Sequence, residues 1–386
     1  MLKKVCLLVN YNLYQSKRYF SKKLAEAMSR AGIEVKFIDV REQKIDEEIS
    51  AEIQLFNPDI TCSFHNFIQD KKQKFLWDYL KIPHVSFLVD PAPYSLHLTK
   101  SPYSILSCVD RFECASLKDI PFDKVFFWPH AVEEDLETGK GDRPYDVVFF
   151  GSCYDYESLY QYWHEELPIS LCEILDHAIE IILSDKFISL FAALASAWEN
   201  SHLPYQGIDF HKLFYYLDQY TRGKDRVELL SSIDNDTTVH VFGELMVDNS
   251  IVKHGWGHYL EDKPNIVIHP SVPFEQSLDI LKQSKICLNS MPFFKNGSHE
   301  RVFTGLACGC LPLTTDSLFW QECFSHQELL TYRPSQWSEV NEIIKTTLQN
   351  ENKRKEMAQL GRQNVMKNHT WDKRVEQLTS AMTTFL

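Results

Sequence analysis

The sequence predicts an α/β protein of two Rossmann-like, doubly wound domains with a helical insertion. Three observations carry this. Short apolar runs alternate with helix-patterned stretches through residues 1–145 and again from Asp146 onward, and such alternation implies right-handed crossovers between parallel strands. The chain is 386 residues long, more than a single core usually fills. Between Gly151 and Thr238 the alternation gives way to a long helical stretch without strand signal. The expected division is 1–145 for the first domain and 146–355 for the second, with the insertion at about 156–225. Residues 356–386 are expected to end in a helix that crosses back to the first domain.

In chain order, "KKVCLLVN" (3–10) reads as the first strand, since its apolar run is too short for a secretory signal and lacks a small-residue cleavage site. "SKRYFSKKLAEAMSRAG" follows as a helix with Phe20, Leu24, Ala27, Met28 and Ala31 on one face. Ser16 or Ser21 is placed to cap it and Gly32 to end it. Further strands are expected at "EVKFIDV" (34–40), "DITCSF" (59–64), "HVSFLV" (84–89) and "KVFFW" (124–128). The second domain repeats the theme at "DVVFFG" (146–151), "TVHVFG" (238–243), "NIVIHP" (265–270), "KICLNS" (285–290) and "CLPLTT" (310–315). The last helix, "TWDKRVEQLTSAMTTFL", sets Val375, Leu378, Met382 and Leu386 on one face.

Composition narrows the function. A formal net charge of -13 argues against a nucleic-acid partner, whose phosphates require clustered Lys and Arg. No run approaches the roughly 18 apolar residues of a membrane span, so no transmembrane segment is expected. The ten cysteines are scattered, most of them within apolar segments, which suits reduced thiols and a cytoplasmic location. "CGC" at Cys308 to Cys310 and the pair Cys108 and Cys114 lack a second ligand pair at zinc spacing. Asp234 and Asp236 form "DND" ahead of a strand rather than after one. No metal site and no cofactor are expected.

In open parallel sheets ligands lie beyond the carboxyl ends of the strands. The first such turn, "VNYNLYQSKR", contains no glycine, which counts against a dinucleotide fingerprint. "NSMPFFKNGSHERVFTGLACGC" leaves a strand and enters a helix near Ser298. Free N–H groups and the helix dipole there make an anion site, Gly297 allows close approach, and Lys295 and Arg301 add charge. The same residues also suit an ordinary helix capped by Ser298 and stopped by Gly309. In "HGWGHY", Trp256 is expected to offer an aromatic face on which a ligand's ring can stack. His65 and Asp90 follow strands of the first domain and are expected to face the crevice. His65 is suited to general-base work and equally to a structural role; Asp90, before "PAP", is a base, an orienting group or a turn residue. His130 in "WPHAVEED" is expected to line the cleft.

"DVVFFGS", "VHVFGE", "LNSMPF", "ERVFTGLACGCLPLTTD" and "HTWDKRVEQL", with "IPHVSFLVDPAPY" and "FFWPHAVEED" in the first domain, resemble the CgeB-like (spore maturation protein) branch of the glycosyltransferases, near the group 1 type. The resemblance covers nearly the whole chain except the insertion. It implies the GT-B architecture and a hexosyltransferase activity that moves a sugar, without metal, from a nucleotide-sugar (a UDP-sugar is the guess) to a glycan, protein or small-molecule acceptor. It further implies donor contacts from Gly151, Ser152, Gly243, Asn289, Asn296, His299, Glu300 and Thr304. Two glutamates of group 1 enzymes are replaced here by Asn296 and Thr304. A hydroxyl cannot clamp two ribose hydroxyls as a carboxylate does. A sugar-nucleotide-binding protein without turnover is therefore one alternative, and an epimerase or phosphorylase of the same fold another.

Overall fold

The computed structural model describes residues 2–9, 12, 14–40, 47–64, 69–184, 186–203, 207–243, 251 and 253–386. Contacts divide the chain into two compact units, Met1–Leu136 with Pro273–Glu275 and Met366–Leu386, and Glu137–Val272 with Gln276–Val365. The second unit begins ahead of the boundary expected at Asp146. The reason is Arg143, whose guanidinium donates to the carbonyls of Leu281, Ser284 and Cys308 and so ties its segment to that unit.

The first unit is built on β1 (Lys4–Val9), β2 (Glu34–Asp39), β3 (Ile60–Ser63), β4 (His84–Leu88), β5 (Ser104–Cys108) and β6 (Val125–Phe127). They form one six-stranded sheet in the order β2-β1-β3-β4-β5-β6, with parallel pairing throughout. β1 reads as a continuous apolar run because helices cover both its faces: Val5, Leu7 and Val9 enter one core cluster, Cys6 and Leu8 the other. β5, "SILSC", escaped the sequence reading because serines fill it. Those serines are buried nonetheless. Ser104 accepts from the Trp77 indole at 3.1 Å, and pairs with His84, which pairs in turn with Thr61.

The helix Ser16–Arg30 starts without a serine cap, since Gln15 occupies the N-cap and Ser21 donates back to the Lys17 carbonyl. Ala31 falls outside it as the C-cap residue. The final helix, Trp371–Phe385, packs Val375, Leu378 and Met382 into the cluster that holds Phe20 and Leu24. Leu386 was expected on that face and instead lies 60% exposed at the chain end. The segment after β6 meets the final helix here: the Trp128 indole donates to the Arg374 carbonyl, while the buried Arg374 donates to the carbonyls of Pro129 and His130. Backbone bonds from Val132 to His369 and from Trp371 to Val132 complete the join.

The second unit holds β7 (Tyr145–Phe150), β8 (Val239–Phe242), β9 (Ile266–His269), β10 (Ser284–Asn289), β11 (Leu311–Thr315) and β12 (Leu330–Tyr332). Their order is β12-β11-β10-β7-β8-β9, again parallel. β12 was not anticipated; three residues at a sheet edge leave no periodic signal. The insertion comprises the helices Tyr156–Glu166, Ile169–Ile182, Leu190–Ser201 and Phe210–Ser231. Asp155, Ser189 and Asp209 cap three of them through side-chain oxygens. Among the described residues no helix is long and apolar enough to cross a membrane.

Candidate functional site

Beyond the ends of β7 and β8 the second unit's backbone draws tightly together. The Gly151 N–H donates to the Phe242 carbonyl at 3.0 Å, and the Gly243 N–H to the His269 carbonyl at 3.0 Å. A Cβ at Gly243 would stand 2.2 Å from the Gly151 oxygen, so only glycine fits this approach. The Trp256 indole donates to that same oxygen at 3.0 Å and stands edge-on to Phe149. Trp256 is fully buried in the core. The expectation that it stacks on a ligand's ring is corrected: its rings are spent on packing and its N–H on Gly151.

The turn after β10 distributes its polar groups in the same inward manner. Asn289 is buried and its amide donates to Thr314 Oγ1 at 2.8 Å. Lys295 is 3% exposed, with Nζ donating to the Ile182 carbonyl at 2.7 Å, so its charge anchors the insertion rather than meeting a ligand. Gly297 and Ser298 are buried, and the Gly297 carbonyl accepts from Ser317. The cap of helix Glu300–Ala307 is His299, whose Nδ1 accepts from the Arg301 N–H at 3.4 Å; it is not Ser298. Thr304 is 2% exposed, its hydroxyl donating to the Glu300 carbonyl at 3.0 Å. That hydroxyl is turned into the helix, so a direct ribose contact is not made from this position.

Six of the candidates keep partial exposure: Gly151, Ser152, Asn296, His299, Glu300 and Arg301. Glu300 lies between two cationic or protonatable neighbours, with Oε2 3.1 Å from His299 Nδ1 and Oε1 3.4 Å from Arg301 Nη2. The parallel order places β8, β7 and β10 side by side, so the residues that follow them share one sheet edge. The helix start at Glu300 opens on that edge.

Sequence reading missed the other half of this edge, which the helix Phe210–Ser231 contributes. Asp225 is fully buried and accepts from Ser290 Oγ at 2.6 Å, Tyr332 OH at 2.8 Å and Trp337 Nε1 at 2.8 Å. One carboxylate thereby fixes the ends of β10 and β12 and the start of the next helix. Burial raises its pKa, against the lowering effect of those donors. Arg226 donates through Nη1 to the Ser152 carbonyl at 2.8 Å, and its guanidinium lies 4.7 Å from the Tyr154 ring centre. Arg222 pairs with Asp218 at 2.7 Å and covers the Phe293 ring. The available signal was the charged set Asp218, Arg222, Asp225 and Arg226, at helical spacing on the face that also carries Leu229.

In the first unit His65 lies outside the described residues. Asp90 is exposed, just past β4. His130 is buried, and its carbonyl is held by Arg374, so its place is in the packing of the final helix. Among the described residues no three of His, Cys, Asp and Glu gather as metal ligands would.

Two parallel six-stranded sheets with flanking helices match the GT-B fold of solved glycosyltransferase structures. Residues 224–380, less than half of the chain, match the family described as glycosyl transferase-like. A comparison with curated proteins gave no match. Among solved structures, HepE of Anabaena in complex with UDP-glucose aligns with a TM-score of 0.58 at 8% identity, over 99% of each chain. Sucrose-phosphate synthase from Thermosynechococcus elongatus aligns at 0.57 and 9% identity, over 99% of each. A glycosyltransferase from Rickettsia africae aligns at 0.54 and 9%, over 98% of this chain and 97% of the other. At such identities the likeness is one of fold.

Proposed function

We propose that the protein is a metal-independent glycosyltransferase that takes a sugar from a nucleotide-sugar bound at the carboxyl edge of the second unit's sheet. The observation that carries this reading is the partly exposed His299-Glu300-Arg301 at a helix start, on the same edge as the glycine-lined ends of β7 and β8. N–H groups and the dipole of helix Glu300–Ala307, with Arg301, suit the negative charge that grows on a departing diphosphate. Solvent exclusion and orientation would supply the rest of the rate. UDP-glucose is the first donor to try, because the HepE structure holds it. The motif resemblance favours the CgeB-like branch.

On the acceptor side we assign the proton to Asp90, which stands exposed beyond β4, or to His65. Replacing a general base lowers turnover by ~10²-fold or more, so His65→Ala or Asp90→Asn should show that loss with donor affinity unchanged. The test is release of UDP from a panel of UDP-sugars by purified protein and by Arg301→Ala. A loss of about tenfold or more in donor affinity is expected for the variant, as for a charge-assisted contact. Equal affinity in a folded Arg301→Ala protein would remove the helix start from the site.

A second reading, a sugar-nucleotide binder without turnover, is favoured by the inward-turned Thr304 hydroxyl. Saturable donor binding with neither transfer nor hydrolysis would select it. Failure of every nucleotide-sugar to bind would sink both.

A further inference from the structure

The cations behind the sheet edge do not balance. Arg222 has the Asp218 carboxylate at 2.7 Å, and Arg301 has Glu300 at 3.4 Å. Lys295 acts on the Asp225 carboxylate, whose pKa burial raises, and its charge offsets a small part of that rise. Arg226 has no carboxylate partner among the described residues. It is 7% exposed, its Nη1 reaches only the Ser152 carbonyl, and its Nε is buried without a hydrogen-bond partner. Burial pushes its pKa down, Tyr154 opposes this, and the like charges of Arg222 and Arg301 add to the lowering.

A buried charge left without a counter-ion is costly, and proteins pair such charges or use them. The guanidinium stands where use is feasible, since a Cβ on Gly151 would lie 3.2 Å from Arg226 Nη1. Gly151 is partly exposed at the end of β7. Arg226 thus lies against the backbone that a ligand at this edge would approach, and Arg301 flanks the same strand end through Phe150, 6.0 Å from its ring centre.

We propose that Arg226 is the counter-charge for a diphosphate at this edge, so that the last helix of the insertion supplies half of the anion site. The inference rests on the transferase reading and deepens it. The class of ligand follows from the charges: two guanidiniums at one strand end, one of them already shared with Glu300, suit a multiply charged phosphate better than a single carboxylate. It also gives the insertion a role, because Asp225 beside it locks the strand ends while Arg226 charges them.

The probe is inorganic pyrophosphate, titrated calorimetrically at low and high salt into the wild-type protein, Arg226→Gln and Arg226→Lys. Glutamine can keep the donated bond to the Ser152 oxygen while losing the charge; lysine keeps the charge. Expected are saturable binding by the wild type, a loss of about tenfold or more in Arg226→Gln with a shallower salt dependence, and recovery of most affinity in Arg226→Lys. Wild-type affinity and salt dependence in Arg226→Gln would overturn the inference while leaving the transferase reading intact. Equal weakening in both variants without a change in salt dependence would mark a purely structural arginine and overturn it too, as would a wild type that binds no pyrophosphate. Arg226-dependent pyrophosphate binding in a protein that turns over no nucleotide-sugar would instead sink the transferase reading alone. Should Arg226→Gln fail to fold, the salt dependence of Arg226→Lys against wild type decides: a parallel slope supports the charge, and absent binding contradicts it.

Discussion

Of the two glycines at the sheet edge, Gly243 has the less room, since the Gly151 oxygen occupies the space of its missing Cβ at 2.2 Å and the Trp256 nitrogen stands 2.9 Å away. Gly243→Ala must push apart the ends of β7 and β8 and break the indole bond. Overpacking of this kind costs about 1–3 kcal/mol, which a urea midpoint would register; an unshifted midpoint would contradict the described approach. The same scale explains where residue-level reading went astray. Lys295, Trp256 and Thr304 have side-chain types that suit a donor site, and each is turned inward: Lys295 and Trp256 by partners far away in sequence, the Ile182 carbonyl and the Gly151 oxygen, and Thr304 by the Glu300 carbonyl one turn back in its own helix. Residue type and spacing do not encode that direction. Glu300 and Arg301 stay partly exposed, as do Gly151, Ser152, Asn296 and His299, so these are the sequence candidates that remain open to a ligand.

At the scale of elements, strand existence was legible wherever burial was written in apolar residues, as in β1, β7 and β10. It was hidden in β5, where burial rests on serine hydroxyls. The neighbouring β4, legible from its apolar residues, is tied down by polar partners too: His84 is fully buried, with Thr61 Oγ1 2.8 Å from Nδ1 and Ser63 Oγ 3.1 Å from Nε2, and its ring stacks on Trp77. Burial lowers its pKa to about 3, and burial together with Arg374 does the same for His369. Both histidines are neutral in the folded unit, whereas the unfolded chain takes up protons near pH 6.5. Stability of the first unit is therefore full above that pH and falls as pH drops from about 6.5 towards about 3. Hydrogen exchange of the β3–β5 amides at pH 7 and pH 5 should show this loss, and His84→Gln should flatten it; a wild-type unit equally protected at both values would refute the assignment. The helix Phe210–Ser231 makes a matching case in the second unit. Asp225→Ala strands the donors of Ser290, Tyr332 and Trp337 at about 1–3 kcal/mol for each group left unsatisfied. Denaturant unfolding that leaves the second unit as stable as wild type would contradict that network.

For the molecule as a whole, the two sheets have separate cores, and the family match spans residues 224–380. The proposed mechanism uses a helix start and arginines on the diphosphate, so turnover should survive EDTA; complete loss restored by manganese would contradict it. The central claim is glycosyl transfer itself. The measurement that bears on it most directly is a mass-spectrometric assay of purified protein with UDP-glucose and related nucleotide-sugars, run beside Arg301→Ala. The account predicts time-dependent release of the nucleoside diphosphate with the sugar recovered on an acceptor or on water, and a marked drop in the variant. Intact donor after prolonged incubation, under conditions where calorimetry shows the donor bound, would contradict it.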